Sequence, residues 1–248
     1  NNADKLNGND GRDEIFGGYG NDRITGGWKD DILHGQVGND FIKGGDENDR
    51  IWGGSGADLL AGEDGKDVMG GGSGNDKMWG GGQNDVMAGD AGADVMRGGG
   101  GRDTLRAGDG NDQLYGDNGD DLLEGNAGND RLTGGTGKDL LRGGIGSDIF
   151  DFNQIKDSKL GKNADVIGDF NAARDRIDLR SIDADWTAGG NQNFQFRGGA
   201  GFNDAGQVRV IKKNGDTIVQ VNTDNDKAAE MEITLRGNHN LTADDFIL

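Results

Sequence analysis

Gly71-Gly72-Ser73-Gly74-Asn75-Asp76-Lys77-Met78-Trp79 sets out two glycines, a third glycine two places on, an aspartate, and a lone apolar residue between two outward ones. The same frame fits the nine residues on either side, from Gly62 to Gly70 and from Gly80 to Ala88. With glycine as position 1 it runs without insertion from Gly8 to Asp151, 144 residues in 16 units of nine. Position 6 is aspartate in every unit: Asp13, Asp22, Asp31, Asp40, Asp49, Asp58, Asp67, Asp76, Asp85, Asp94, Asp103, Asp112, Asp121, Asp130, Asp139 and Asp148. Position 8 is always apolar, from Ile15 through Met78 to Phe150, and Asp4 and Leu6 continue both columns upstream. Two columns held in one register over this length mark a repeat protein.

Composition bounds what the repeat can do. Fifty-one glycines in 248 residues, a net charge of -19 and 31% hydrophobic residues leave too little apolar side chain for an ordinary core. Such a chain sits near the disordered class unless something beyond the hydrophobic effect helps it fold. It has no cysteine, which excludes disulfides and thiolate metal sites. No run of about 18 apolar residues is present, so no membrane span is expected. The acidic balance argues against nucleic acid, whose binding rests on lysine and arginine, and favours cations. The chain starts at Asn1 without an apolar leader, as expected of a fragment or a processed form.

Glycines at positions 1, 2 and 4 admit positive φ, which predicts a tight turn over positions 1 to 6. Positions 7 to 9 are too few for a helix and alternate as a short strand does, with position 8 inward, as at Ile24 between Arg23 and Thr25. One such unit cannot bury its apolar residue alone, so units must stack, with every second strand on the same wall. The expected fold is all-β, a parallel β-roll of 18-residue coils with two sheets and eight coils. Stacked coils bring like carboxylates about 4.8 Å apart, where they repel unless a cation lies between them. Calcium accepts six to eight oxygens, backbone carbonyls included, in flexible geometry, whereas magnesium demands a strict octahedron and keeps its water.

The pattern Gly-Gly-x-Gly-x-Asp-x-apolar-x over residues 8 to 151 resembles the RTX nonapeptide, a calcium-binding β-roll repeat. The resemblance implies a calcium ion between each turn and the turn one coil later, held by backbone carbonyls and both position-6 aspartates. Asp13 would then pair with Asp31, Asp22 with Asp40, and so on to Asp130 with Asp148, for up to about 14 ions. Position 4 departs from glycine at Lys29, Glu47 and Gln83, whose aspartates Asp31, Asp49 and Asp85 all belong to odd-numbered units and hence to one edge of the roll. Strain would weaken calcium on that edge, with Lys29 placing a cation near the ion and Glu47 lending it a carboxylate. The other edge departs mainly at Ala107.

After Asp151 the period ends. Asp165–Phe170, Asp175–Leu179, Gly206–Val210 and the final Leu241–Leu248 resemble the C-terminal domain that follows RTX repeats in serralysin-type metalloproteases. Residues 1–151 are accordingly expected to form the roll and residues 152–248 a β-rich cap, with Thr217–Val221 as a half-buried antiparallel strand after an Asn214-Gly215 hairpin turn. The resemblance also implies export by a type I secretion apparatus, with Asp245-Phe246-Ile247-Leu248 as an uncleaved signal. Asn222, Asp224, Asp226 and Glu230 space oxygen side chains at positions 1, 3, 5 and 9, as in half an EF-hand loop. Catalytic readings fare poorly, because His34 and His239 stand alone and the His-Glu-x-x-His helix of the proteases is absent. Outward Phe16, Trp52, Trp79 and Tyr115 are expected to be scattered exposed strand residues, and Met69, Met78, Met87 and Met96 to fill the core.

These features together predict a secreted, extracellular, non-catalytic calcium module that supports secretion and folding of a larger exoprotein. The alternative is a free-standing calcium-binding adhesin or signalling exoprotein. An upstream catalytic domain and extracellular polysaccharide are the other candidate partners.

Overall fold

The computed structural model describes residues 2–185 and 192–248; Asn1 and residues 186–191 lie outside them. Sixteen six-residue strands recur every nine residues, from β1 (Lys5–Asp10) and β2 (Glu14–Tyr19) to β16 (Leu140–Ile145). Each covers positions 7, 8 and 9 of one unit and positions 1, 2 and 3 of the next, so the turn is only positions 4 to 6. The strands are thus twice the expected length and the turns half of it. The first two glycines belong to the strands, where they let neighbouring backbones approach closely.

Each strand from β1 to β15 pairs in parallel with the strand 18 residues on, as in Leu6 with Ile24 and Met78 with Met96. Odd-numbered strands build one sheet and even-numbered strands the other, giving the two-sheet roll of 18-residue coils that the period predicts. Position 8 fills the space between the sheets: from Ile24 to Phe150 every such residue is buried, the four methionines included. From Gly26 to Gly143 position 1 is buried beside it, so two columns face inward where one was expected.

The position-1 glycines do not have positive φ; positions 2 and 4 do, in all 16 units. At position 1 the need is steric. A Cβ on Gly71 would collide with Asp76 Oδ2 and lie 2.9 Å from the Gly89 carbonyl oxygen. At position 4 the glycines take φ between 127° and 159°, while Lys29, Glu47 and Gln83 take 85°, 78° and 71°. Six position-2 residues, Asn9, Gln36, Glu63, Asp90, Asp117 and Asn126, also sit at φ between 68° and 80°. They occur on both edges, so backbone strain is not confined to the odd one. An L-residue there costs about 1–2 kcal/mol. Gln83→Gly is therefore expected to stabilise the calcium-saturated roll by on the order of 1 kcal/mol, read as a rise in thermal midpoint; an unchanged or lower midpoint would show that the left-handed turn is unstrained.

Both sheets run on past Asp151. β17 (Ile149–Asp151) and β19 (Arg176–Asp178) extend the odd sheet, and β18 (Asp165–Ile167) extends the even one, all in parallel. Arg131 ties the junction, with Nε 3.1 Å from Asp151 and a terminal nitrogen 2.7 Å from Asp178. Beyond β20 (Gln195–Phe196), β21 (Gln207–Lys213) and β22 (Asp216–Asn222) form an antiparallel hairpin. Its turn residues Asn214 and Gly215 have φ of 56° and 88°, the positive pair a type I′ turn requires. β22 is buried on both faces instead of alternating. The reason is its central place between β21 and β23 (Met231–Leu235), with β23 in turn pairing β18. β24 (Phe246–Ile247) pairs with β19 and ends the odd sheet. No helix among the described residues is long and apolar enough to cross a membrane.

Candidate metal centre

Each position-6 aspartate sits at the end of a turn, where the chain enters the next strand. Its backbone amide donates to Oδ1 of the aspartate one coil later: Asp13 to Asp31 at 2.8 Å, Asp58 to Asp76 at 2.8 Å, Asp130 to Asp148 at 3.0 Å. A second ladder, which the glycine-aspartate reading missed, runs the other way at position 5. There the amide of Asn39 donates to Asn21 Oδ1, and that of Ala93 to Asn75 Oδ1. The recurring asparagine at position 5 was the available signal. Each turn is thus clamped to both its neighbours before any ion is considered.

The other carboxylate oxygen is left over. In all 16 aspartates from Asp13 to Asp148, Oδ2 is buried and has no hydrogen-bond partner. Buried unpartnered polar atoms are rare in folded proteins, and here they form two columns of like charge. Burial pushes the carboxyl groups of Asp49, Asp58, Asp85, Asp121, Asp130 and Asp139 up to about 7, with neighbouring carboxylates adding to the effect and the donated amide opposing it. For Asp67, Asp76, Asp112 and Asp148 the same causes give about 6.

Carbonyl oxygens line the same turns as these orphans. The Gly71 Cα faces both Asp76 Oδ2 and the Gly89 carbonyl oxygen of the next coil, and the position-4 carbonyls of Gly56, Glu47 and Gln83 each point at the position-4 residue one coil on. An array of buried carboxylate and carbonyl oxygens, with neither nitrogen nor sulfur, suits a hard cation, and calcium above the others. The residues present therefore fit calcium. The substituted turns keep their carbonyls aligned. Lys29 and Glu47 do not face the aspartates as expected; their side chains pair with each other at 2.7 Å on the surface, because one coil's rise brings them side by side.

The column also outlasts the sequence period. Asp139 donates its amide to Asp165 Oδ1 at 2.9 Å, and Asp148 donates to Asp175 Oδ1 at 3.2 Å. Insertions of eight and nine residues take both off the 18-residue coil spacing, although Asp175 stays in phase with the nine-residue count. Asp165 Oδ2 is another buried orphan, and burial with the nearby Asp139 charge pushes its carboxyl up to about 9. Asp175 differs, since its Oδ2 accepts from the Asn171 amide at 2.8 Å. Asp169 closes the last even turn by accepting from the Gly143 and Gly144 amides.

The outward aromatics are not all scattered. Phe16, His34 and Trp52 stack in one row across the even sheet, with ring centroids 4.7 and 4.8 Å apart and planes within 9°. Their register across β2, β4 (Ile32–Val37) and β6 (Arg50–Ser55) makes this row, and His34, expected to stand alone, is sandwiched in it. Trp79 and Tyr115 lie on the odd sheet with Arg97 between them, 4.9 Å from the Tyr115 centroid. His239 packs edge-on to Phe170 and its Nε2 contacts the Arg236 carbonyl.

Comparison with known proteins follows the same repeat. The family described as RTX calcium-binding nonapeptide repeat (4 copies) matches residues 1–33, 25–60, 34–69, 61–96, 88–123 and 115–150. Among solved structures, the AlgE6R3 subunit of the Azotobacter vinelandii mannuronan C5-epimerase is 30% identical, covering 66% of this chain and 78% of its own, with a TM-score of 0.36. The AlgE6R2 subunit of that epimerase is 28% identical over 63% of this chain and 88% of its own, TM-score 0.34. Extracellular lipase LipA from Serratia marcescens is 16% identical over 95% of this chain and 40% of its own, TM-score 0.22. No curated protein matches the chain.

Proposed function

The chain belongs to the RTX calcium-binding nonapeptide repeat family, and from that premise we propose that it is a non-catalytic module that calcium completes outside the cell, supporting secretion and folding of a larger exoprotein. The observation that carries the reading is the double column of buried, unpartnered Oδ2 atoms from Asp13 to Asp148. In this reading those aspartates and the carbonyls of the facing turns hold the ions, up to about 14 between Asp13 and Asp148. Bound calcium supplies the positive charge that lets the carboxylates stack. The chain's own part is to bring two turns into register, through the amide-to-Oδ1 ladder on position 6 and its reverse on position 5.

Residues 1–151 act as the repeat and residues 152–248 as its cap, similar to the serralysin-type domain. The burial of Phe150, Phe152 and Phe246 supports that division of labour, because an open solenoid end would expose them. Cytoplasmic calcium is too dilute to fill weak extracellular-type sites, so the chain would reach a type I secretion apparatus unfolded and fold on exit. Export of the full chain by a Gram-negative host carrying such an apparatus tests this. Deleting Asp245–Leu248 should abolish its appearance in the medium while leaving intracellular synthesis intact. Undiminished export of the shortened chain would remove the secretion role.

A further inference from the structure

The two walls of the roll present different outer faces. Positions 7 and 9 flank the buried position 8 and so point outward. From β1 to β15 the odd wall carries Lys5, Arg23, Lys43, Lys77, Arg97 and Arg131 in those two columns and no acid. On the even wall the same columns hold three arginines, Arg50, Arg106 and Arg142, against two glutamates, Glu14 and Glu124. Among the described residues, seven exposed large apolar side chains lie on even strands and two on odd ones. In a chain of net charge -19, the even wall is therefore a near-neutral, apolar face.

That face is also complementary to itself. Between β6 and β16 it continues through β8 (Val68–Ser73), β10 (Val86–Ala91), β12 (Thr104–Asp109) and β14 (Leu122–Ala127). Its position-9 column starts with the stacked row Phe16, His34 and Trp52 and passes through Gly70 and Ala88. It ends in Arg106, Glu124 and Arg142, with an Arg106 and an Arg142 nitrogen 2.9 and 2.6 Å from the shared Glu124 carboxylate. A half-turn about an axis parallel to the strands, between β8 and β10, lays each column of a second copy over the same column with the coil order reversed. Phe16 then meets the partner's Arg142, His34 the partner's Glu124, and Trp52 the partner's Arg106. Guanidinium planes stack on aromatic rings, and a carboxylate accepts from an imidazole N–H. At the midline Val68 meets the partner's Val86 and Gly70 the partner's Ala88, small residues that allow the usual spacing of packed sheets, about 10 Å. In the position-7 column Ile32 meets the partner's Leu122, while Glu14 lies at the rim beside the partner's Arg142.

We propose that the even face is a self-association surface, on which a second copy of this chain packs sheet to sheet about that two-fold axis. Eight even strands about 4.8 Å apart, each of six residues rising about 3.3 Å, make a face of about 38 Å by about 20 Å. That is about 750 Å² from each copy, close to the roughly 800 Å² per partner of a specific, stable interface. Its anatomy is that of such an interface, with small apolar residues at the centre and aromatic and arginine side chains around them. The same symmetry is self-consistent, since every contact occurs twice. Two odd faces brought together would instead set six cations against six, which selects the even wall for the contact. The proposal needs only the folded roll and goes beyond the calcium and secretion reading.

Sedimentation velocity on the full chain, folded in about 10 mM calcium and checked for strand content by circular dichroism, tests it. Between about 1 and about 100 μM protein, the range that brackets a micromolar dimer, the mass should rise from 26.0 kDa to twice that value. His34→Asp sets an acid against Glu124 across the axis, and Glu124→Lys sets a third cation beside Arg106 and Arg142. Each should weaken the dimer by on the order of tenfold or more. An equimolar mixture of the two variants should restore it, because the substituted positions 34 and 124 then face each other with opposite charge. A folded chain that stays at 26.0 kDa, or a dimer that the single variants leave unchanged or the mixture does not restore, overturns the proposal. Should either variant not fold, a crosslink decides. The chain has no cysteine, so Val86→Cys beside the axis and Lys77→Cys on the odd face each introduce one thiol. A bismaleimide reaching about 10 Å, the spacing of packed sheets, should join two copies of the first variant and not of the second; any other pattern overturns the assignment of this face.

Discussion

In excess chelator at pH 7.5 the far-ultraviolet strand signal should collapse, and it should return cooperatively between about 0.1 and 1 mM calcium; an equal concentration of magnesium should not restore it. The two columns of buried Oδ2 atoms are the reason. Without metal each ionised carboxylate is buried beside others of its kind, and the turns can hold them only as neutral acids. Burial raises Asp49 and Asp58 to about 7 and Asp67 and Asp76 to about 6, against about 3.9 in an unfolded chain. The metal-free roll therefore binds more protons than the unfolded chain does. Its stability is fully present below about pH 4 and is lost as pH rises through 6 to 7. In chelator, order should be greater at pH 5 than at pH 7.5. In calcium the dependence reverses, because protons compete for the same oxygens and raise the calcium midpoint as pH falls. Circular dichroism at both pH values, with and without calcium, reads all four corners. A chelated chain with full strand signal at pH 7.5, or one that loses structure toward pH 5, contradicts the argument.

The roll was legible because its period is strict. Position 8 could be read as core from Ile24 to Phe150, and position 6 as an oxygen column, since a nine-residue frame fixes both faces at once. What the frame concealed were consequences of distance in space. The position-1 glycine looks like a turn residue, yet its role is to leave room for the aspartate carboxylate of its own unit, as Gly71 does for Asp76. The reversed ladder at position 5 depends on contacts 18 residues away. Asp165 and Asp175 continue the column across insertions that break the 18-residue coil spacing, and Phe16, His34 and Trp52 meet only because alternate strands become neighbours. In the C-terminal region the Asn214-Gly215 turn was readable from its dipeptide, whereas burial of both faces of β22 was not, because it depends on the strands placed beside it.

Asp76 separates the two tasks of an aspartate in this column. Its Oδ1 accepts from the Asp58 amide, its own amide donates to Asp94 Oδ1, and its Oδ2 is orphaned. Asp76→Ala removes both oxygens. It leaves the buried Asp58 amide unpaired, which costs about 1–3 kcal/mol, and it deprives the proposed calcium positions toward Asp58 and Asp94 of a shared ligand. Asp76→Asn keeps an acceptor for the Asp58 amide and removes only the charge. In calcium, Asp76→Asn should raise the folding midpoint by on the order of tenfold, and Asp76→Ala should raise it further. In chelator the order changes: Asp76→Asn relieves repulsion between stacked carboxylates and should be at least as ordered as the parent chain, while Asp76→Ala is less so. Asp226→Ala, in the separate hairpin loop, should leave the roll's midpoint in place. If Asp76→Asn instead destabilised the chain equally with and without calcium, Oδ2 would serve a bond internal to the protein, and the column would be a structural ladder without a metal.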